Sequence, residues 1–256
     1  MDKKDTSWEN VAVWYDSHLH SSDTYQEQVI LPKLTELLML APDDTLLDLA
    51  CGQGYFSHAL LPFVGHVIGV DMSESLIDFA RKATQIKDLE RIEFHVSESH
   101  KLAMLADASV DKIIIVLALQ NIRELETTLQ ECARVLRPSG SLHIVLNHPM
   151  FRIPKYSDWR YDTAKKAQVR EVWRYYSEFS SSIIMNPGAK KDKQTTVSFH
   201  RPLASFIKAG AKAGFLLSNL EEWASNKESE PGPKAQLENI ARKEIPLFMY
   251  LQLQKK

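Results

Sequence analysis

Residues 46–60 read LLDLACGQGYFSHAL, and this stretch decides the fold. Its first part, Leu46–Ala50, is a short and mostly apolar segment that is typical of a buried strand, and a helical pattern starts at about Gly54. The turn between them contains a second glycine, Gly52. A strand that leads through glycines directly into a helix is typical of the ligand-binding turn of a doubly wound sheet.

Strands and helices alternate along most of the chain. Strands are predicted at residues 46–50, 66–70, 92–96, 112–117, 142–147, 215–220 and 247–253, and helices at residues 24–40, from 54, and at 73–83, 124–136 and 203–213. Because parallel strands need crossover connections, this order predicts an α/β fold with a Rossmann-like, doubly wound sheet of seven mostly parallel strands.

Two regions depart from this alternation. Residues 150–201 follow the fifth strand, contain many aromatic side chains and are predicted to form an inserted substrate cap, including a β-ribbon that turns at Asn186–Gly188. Residues 1–40 are predicted to form an N-terminal helical cover. We expect the whole chain, residues 1–256, to be a single domain.

The composition argues against several classes of protein. The chain has 31 Lys and Arg, 33 Asp and Glu and a formal net charge of −2, so no global field attracts nucleic acid or a membrane surface. Two cysteines are too few for a disulfide scaffold or a thiolate metal site, and no metal site is predicted. No apolar run reaches the roughly 18 residues of a membrane span. The first residues lack the apolar core of a signal peptide, so we expect a cytoplasmic protein.

Two acidic residues accompany the glycine turn. Asp48 lies in the first strand, and Asp71 ends the second strand, where an acid accepts hydrogen bonds from both ribose hydroxyls of an adenosine. A nicotinamide-binding turn has a third glycine three positions after Gly54, but this chain has Ser57 there. The pattern therefore favours an adenosine ligand other than a nicotinamide dinucleotide.

The segment resembles the first motif of class I S-adenosylmethionine-dependent methyltransferases. That motif is an acid followed at alternate positions by small residues, here Asp48, Ala50, Gly52 and Gly54, with alanine in place of the first glycine. The resemblance continues through VIGVDMSESLIDFARK, ASVDKIIIVLALQNI and ECARVLRPSGSLHIVL, and it covers about residues 8–147. It implies that S-adenosylmethionine is the cofactor and S-adenosylhomocysteine the product.

The same resemblance implies a set of cofactor contacts. Ser97 stands where the family usually has an acid that contacts the adenine amine, so Ser97, Glu98 or a backbone amide must replace that acid. Gly52 and the backbone near Ala50 are implied to hold the methionine part, with Asp48 and Gly54 as further cofactor-binding residues of the same motif. The other implied contacts are the ribose at Asp71, the adenine face at Met72, the cofactor amino group at the Leu117 carbonyl, and the sulfonium at Tyr15.

Candidate catalytic and substrate-binding residues follow the fifth strand. His148 is predicted at the rim where substrate enters, as a general base or a substrate orienter; the alternative is a histidine that shapes the turn before Pro149. Residues 151–201 carry 11 Lys and Arg against 5 Asp and Glu, which favours an anionic acceptor. The candidate residues for binding it are Arg152, Arg174 and His200, with a solvated ribbon or a capping histidine as the alternative.

The sequence thus predicts methyl transfer to an O, N or C atom of a small molecule. Nucleic-acid or protein methylation is an alternative. Where amino-methylating enzymes of nucleic acids carry an Asn/Asp-Pro-Pro-aromatic tetrad, this chain has ALQNI. A second alternative is a regulatory protein that binds the cofactor without turnover.

Overall fold

The computed structural model describes residue 8, residues 23–184 and residues 195–256. In these ranges the strands are β1 (Thr45–Leu49), β2 (His66–Asp71), β3 (Ile92–Val96), β4 (Val110–Val116), β5 (Leu136–Asn147), β6 (Ser157–Asp162), β7 (Ala167–Val172), β8 (Phe179–Ile184), β9 (Thr195–His200), β10 (Phe215–Trp223) and β11 (Phe248–Lys255). The helices are α1 (Leu31–Leu38), preceded by a π-helical turn at Gln26–Ile30, α2 (Tyr55–Leu60), α3 (Glu74–Ala83), α4 (Leu125–Val135), α5 (Leu203–Lys212) and α6 (Ala235–Glu244).

Seven of these strands form one central sheet in the order β10-β11-β5-β4-β1-β2-β3. The strands β1 to β5 are parallel to their neighbours, whereas β11 pairs antiparallel with both β5 and β10. The predicted fold class, a Rossmann-like and mostly parallel seven-stranded sheet, is therefore confirmed. The chain reverses its direction across the sheet between β1 and β4, and ligands bind at such a switch point, beyond the carboxyl ends of the strands.

The core lies on both faces of the sheet. Leu46 and Leu47 are adjacent in β1 and both fully buried, but they belong to different hydrophobic clusters. One cluster contains side chains of α4 and α5, and the other contains side chains of α1, α2 and α3. A strand covered on both faces buries successive side chains, which explains why β1 has leucines at the adjacent positions 46 and 47 instead of an alternating apolar pattern.

The helix predicted at 73–83 is present and begins at Glu74. Ser73 is its N-cap, and the Ser73 hydroxyl oxygen accepts a hydrogen bond from the backbone N–H of Leu76 at 3.2 Å. The N-cap fixes the start of α3 directly after Asp71. This places the carboxyl end of β2 and the first turn of α3 at the same edge of the sheet.

The insertion after β5 forms two separate antiparallel pairs. The predicted ribbon is present in part, because β8 pairs with β9, but β7 pairs with β6 instead of continuing that ribbon. The β-structure is interrupted between β7 and β8, where Arg174 has a left-handed backbone with φ +52°. The predicted turn at 186–188 lies outside the described residues. Helix α6 was not predicted, because its sequence is polar and only Ala241 is buried.

Two further properties concern membranes and metals. Within residues 23–184 and 195–256, none of the helices combines the length and apolar character that crossing a bilayer requires. The same ranges hold no group of three or more His, Cys, Asp or Glu side chains arranged to bind a metal ion.

Candidate functional site

A cavity of about 350 Å³ lies at the carboxyl ends of β1, β2, β3 and β4. Its walls are mainly the turns that follow these four strands, and Trp8 also lines it. Polar lining residues include Asp48, Gln53, Asp71, Ser97, Glu98, Ser99, His100, Asn121, Arg123 and Glu124. The cavity thus occupies the switch point at which the topology predicts a ligand.

The turn after β1 is bent by left-handed backbone at three positions. The φ angles are +62° at Ala50, +58° at Gly52 and +79° at Gly54. The backbone N–H groups of Ala50 and Cys51 both donate to the Val70 carbonyl, at 2.7 and 3.1 Å, and so tie the turn to β2. Gly52 adopts its angle without strain and lines the cavity.

Gly54 serves the same turn in a different way. It does not line the cavity, contrary to what its place in the motif suggested. A Cβ atom at this position would lie 3.0 Å from His58 Cε1, 3.0 Å from Phe94 Cζ and 3.1 Å from Ala80 Cβ. A Cβ atom at position 54 would therefore press on α2, β3 and α3, which would have to shift by a few tenths of an ångström, so the glycine favours close packing behind the cavity wall.

The Asp71 carboxylate connects the two turns that border the cavity. Asp71 Oδ2 accepts a hydrogen bond from the Gly52 backbone N–H at 2.9 Å, and Oδ1 accepts one from the Ser73 N–H at 2.9 Å. The residue is 8% exposed and lines the cavity. Because a carboxylate oxygen accepts more than one hydrogen bond, this arrangement is compatible with binding a pair of ligand hydroxyls.

Asp48 is the second acid of the cavity wall. It is 2% exposed, and its Oδ2 accepts a hydrogen bond from the Ser57 hydroxyl at 2.6 Å. Burial raises the pKa of the Asp48 carboxyl to about 7, with a smaller contribution from the negative charge of Asp71. A cation bound beside Asp48 would favour its ionised form.

This pKa predicts a pH dependence of stability. The unfolded chain loses the Asp48 proton near pH 4, but the folded chain retains it up to about pH 7. The contribution of Asp48 to the free energy of unfolding therefore falls as the pH rises through this window, by up to about 4 kcal/mol. Asp48→Asn lacks this titration, so chemical denaturation should show the variant gaining stability relative to the unmodified chain between pH 4.5 and 7.5. The control Asp78→Asn, on α3, should show the same pH dependence of the free energy of unfolding as the unmodified chain. If Asp48→Asn also showed that same pH dependence, the raised pKa of Asp48 would be contradicted.

Two amide side chains of the cavity wall have unpaired oxygens. Gln53 Oε1 and Asn121 Oδ1 are buried, and neither has a hydrogen-bond partner in the part of the chain that the structure describes. A buried acceptor without a partner costs about 1–3 kcal/mol. Both residues line the cavity, so a rotation of either side chain would turn its oxygen toward a ligand N–H or O–H. The wall therefore fits a polar ligand such as the cofactor of the family that the motifs indicate.

Four other predicted cofactor contacts also line the cavity: Met72, Ser97, Glu98 and Leu117. The Ser97 hydroxyl donates to the Lys101 carbonyl at 2.7 Å, and the Glu98 carboxylate pairs with Lys101 and His100. The Leu117 backbone is left-handed with φ +53°, and its carbonyl accepts a hydrogen bond from Gln120 Nε2 at 2.6 Å. Tyr15 lies outside the described residues.

His148 is not among the residues that line this cavity. Its side chain is buried, and Nε2 lies 2.6 Å from Glu222 Oε1 while Nδ1 accepts a hydrogen bond from the Met150 N–H at 3.3 Å. Burial lowers the pKa of His148. With both ring nitrogens bonded, this geometry matches the alternative of a histidine that shapes the turn and offers no support for a general base.

The three predicted substrate-binding residues are not brought together. Arg174 donates to the Tyr156 hydroxyl at 2.7 Å and lies over the Tyr156 ring, so it packs within the insertion. His200 Nε2 bonds to the Tyr175 carbonyl at 2.7 Å. Neither residue lines the large cavity, and Arg152 lines a second, smaller one.

Gln53, Asn121 and Arg123 are lining residues that the sequence-based reasoning did not select. The feature that could have identified them is their position in the connections that follow β1 and β4. Gln53 lies between the two glycines of the first turn, and the other two lie in the connection between β4 and α4. Polar residues at the carboxyl ends of parallel strands are candidates for ligand contact whether or not they belong to a recognised motif.

Comparison with known proteins identifies the family. A family model described as "methyltransferase domain" matches residues 40–198, which is more than half of the chain. The arsenite methyltransferase of Halobacterium salinarum is 36% identical over 108 residues, which cover 41% of this chain and 27% of that protein. A ubiquinone/menaquinone biosynthesis C-methyltransferase of Acidiphilium cryptum is 32% identical over 171 residues, which cover 62% of this chain and 65% of that protein. The chain thus spans less than two thirds of the length of these relatives.

A solved structure shows the same fold over nearly the whole chain. The S-adenosylmethionine-dependent methyltransferase from Mesorhizobium loti superposes with a TM-score of 0.71 at 22% identity, covering 91% of this chain and 99% of that one. The position of the cavity, the sheet order and the family match agree with one another. This chain belongs to the methyltransferase domain family of class I, S-adenosylmethionine-dependent enzymes.

Proposed function

We propose that this chain transfers the methyl group of S-adenosylmethionine to a small-molecule acceptor. The observation that carries this proposal is the Asp71 carboxylate, held by the amides of Gly52 and Ser73 at the wall of a cavity at the switch point. The names of the two relatives, an arsenite and a quinone-biosynthesis methyltransferase, favour small acceptors. The near-neutral charge of the chain also favours a small acceptor over nucleic acid.

In this proposal, different residues of the cavity wall bind different parts of the cofactor. Asp71 accepts hydrogen bonds from the ribose, and the backbone around Ala50 and Gly52 holds the methionine part. Adenine packs against Met72, with Ser97 or Glu98 and the Leu117 carbonyl as acceptors at the cofactor's amino groups. The unpaired oxygens of Gln53 and Asn121 supply two further acceptors.

The bound cofactor supplies a sulfonium whose methyl group is already activated for transfer. The chain then has to align the acceptor and exclude water, which is a matter of position more than of acid–base chemistry. Asp48 adds a carboxyl group that is readily ionised by a neighbouring cation, because its pKa lies at about 7. His148 lies outside the cavity lining, so we propose no proton transfer through it.

The proposal predicts where methyl label will appear. The chain, incubated with methyl-labelled S-adenosylmethionine and separate pools of metabolites, RNA and protein from a bacterial extract, should label the metabolite pool, and Asp71→Ala should not. Label confined to RNA or protein would replace the small-molecule acceptor with a macromolecular one. Binding of the cofactor without label in any pool would indicate a regulatory protein.

A further inference from the structure

A second cavity, of about 50 Å³, lies between the insertion and the C-terminal part of the chain. Among the residues that the structure describes, the charged side chains that line it are three arginines, Arg152, Arg170 and Arg242, and none is acidic. The rest of its wall is Tyr25, Phe151, Trp159, Ser225, Ile245, Pro246 and Leu247. This cavity shares no lining residue with the large one.

Arg170 is held rigidly at this cavity. Its Nε donates to the Phe151 carbonyl at 2.8 Å, and its Nη2 donates to the Ser157 hydroxyl at 2.7 Å. The guanidinium also lies over the Trp159 ring, 5.2 Å from the ring centroid. None of these partners is an acid. Asp158 attracts Arg170 electrostatically without a hydrogen bond, and this attraction does not offset burial, which lowers the pKa of Arg170.

Arg152 is half-buried and lacks a counter-charge. Its guanidinium makes no hydrogen bond or ion pair with any residue of the ranges 23–184 and 195–256. Burial, together with repulsion from Arg170, lowers the pKa of Arg152 to about 10. Other arginines of this chain are paired with acids, namely Arg134 with Glu131 and Asp107, Arg137 with Asp111, and Arg160 with Glu171.

The three arginines come from three different elements. Arg152 lies in the loop after β5, Arg170 lies in β7, and Arg242 lies in the last turn of α6. Two like charges close enough to lower the pKa of one of them raise the free energy of the folded chain unless an anion joins them. An oxyanion would provide acceptor oxygens for the guanidinium groups, which bind carboxylate and phosphate in a bidentate manner.

We propose that the cavity between Arg152, Arg170 and Arg242 binds one oxyanion, a phosphate or carboxylate group. The small volume suits a single such group, and the apolar wall at Phe151 and Pro246 suits an organic part attached to it. This site does not depend on methyl transfer, because it is separate from the cavity that we assign to the cofactor.

Thermal unfolding in inorganic phosphate tests the site. At constant ionic strength, set with sodium chloride, 20 mM phosphate should raise the Tm of the unmodified chain by roughly 2–4 °C, because a ligand that binds only the folded state stabilises it. Arg152→Gln should abolish this shift, and without phosphate its Tm should equal or exceed that of the unmodified chain. A purely structural arginine would instead lower the Tm when removed.

Two more variants serve as a second test of the site and as a matched control. Arg242→Gln, near the end of α6, should also reduce the phosphate shift, so the test stands even if Arg152→Gln folds poorly. Arg160→Gln, in the neighbouring strand β6 and paired with Glu171, should retain the full shift. Affinity for S-adenosylhomocysteine should be unchanged in Arg152→Gln, which separates this site from the cofactor cavity.

Phenyl phosphate and acetate identify the source of the oxyanion. A shift with inorganic phosphate or acetate, lost in Arg152→Gln, supports a site for a free anion. A shift with phenyl phosphate alone, lost in the same variant, supports a site for the anionic end of a larger molecule. If none of the three compounds shifts the Tm, or if Arg152→Gln and Arg242→Gln both keep the full shift, the proposal is overturned.

Discussion

Asp71→Ala is expected to weaken the binding of S-adenosylhomocysteine by at least about a hundredfold. Hydrogen bonds to a charged group contribute about 1.5–3 kcal/mol each, and a hundredfold loss corresponds to about 2.7 kcal/mol. The substitution would remove the proposed ribose acceptor and also leave the Gly52 N–H without its Asp71 partner. Titration calorimetry measures the change directly.

Two variants make this result interpretable. Asp78→Ala removes a partly exposed acid on α3, whose nearest cation is Arg81 at 3.7 Å, and should bind as the unmodified chain does. Asp71→Asn keeps one acceptor oxygen, so its affinity should fall between those of the aspartate and the alanine. An Asp71→Ala variant that is folded and binds with unchanged affinity would exclude the proposed role of Asp71.

Gly54→Ala is expected to lower the free energy of unfolding by about 3 kcal/mol, which corresponds to a fall in Tm of roughly 6–12 °C. Left-handed backbone costs an alanine about 1–2 kcal/mol, and the added Cβ would also press on Phe94 and Ala80. Chemical denaturation measures the loss. Because Gly54 does not line the cavity, the folded variant should bind S-adenosylhomocysteine within about threefold of the unmodified chain.

Gly214 provides a matched control for the backbone strain. Its φ angle is +92°, but a Cβ atom added there would meet nothing within 4 Å. Gly214→Ala should therefore lower the free energy of unfolding only by the cost of backbone strain, about 1–2 kcal/mol. The additional loss of stability in Gly54→Ala then measures the effect of the added Cβ atom on packing. Equal losses in the two variants would contradict a packing role for Gly54.

The sheet could be predicted because each of its strands is marked by a local pattern of apolar residues. β1 is buried on both faces and therefore has leucines at the adjacent positions 46 and 47, and the N-cap at Ser73 fixes the start of α3. The pairing of β6 with β7 was missed because many residues of the insertion have β character and only backbone geometry, such as the left-handed Arg174, decides which segments pair. Helix α6 lacked a buried face that periodicity would reveal.

The site was predictable where it depends on neighbouring residues in the chain. The motif after the first strand predicted Asp48 and Gly52, and the end of the second strand predicted Asp71; all three line the cavity. The different role of Gly54 depends on Phe94, which is 40 residues away and reaches it only through the fold. The meeting of the three arginines is likewise a tertiary property, because nothing in the sequence near Arg152 indicates α6.

A structure of the chain crystallised with S-adenosylhomocysteine tests the central claim most directly. The account predicts the nucleoside in the cavity at the ends of β1, β2 and β4, with both ribose hydroxyls within about 3 Å of the Asp71 carboxylate. It also predicts a ligand donor on Gln53 Oε1 or Asn121 Oδ1. A nucleoside bound elsewhere, or a ribose that makes no contact with Asp71, would contradict it.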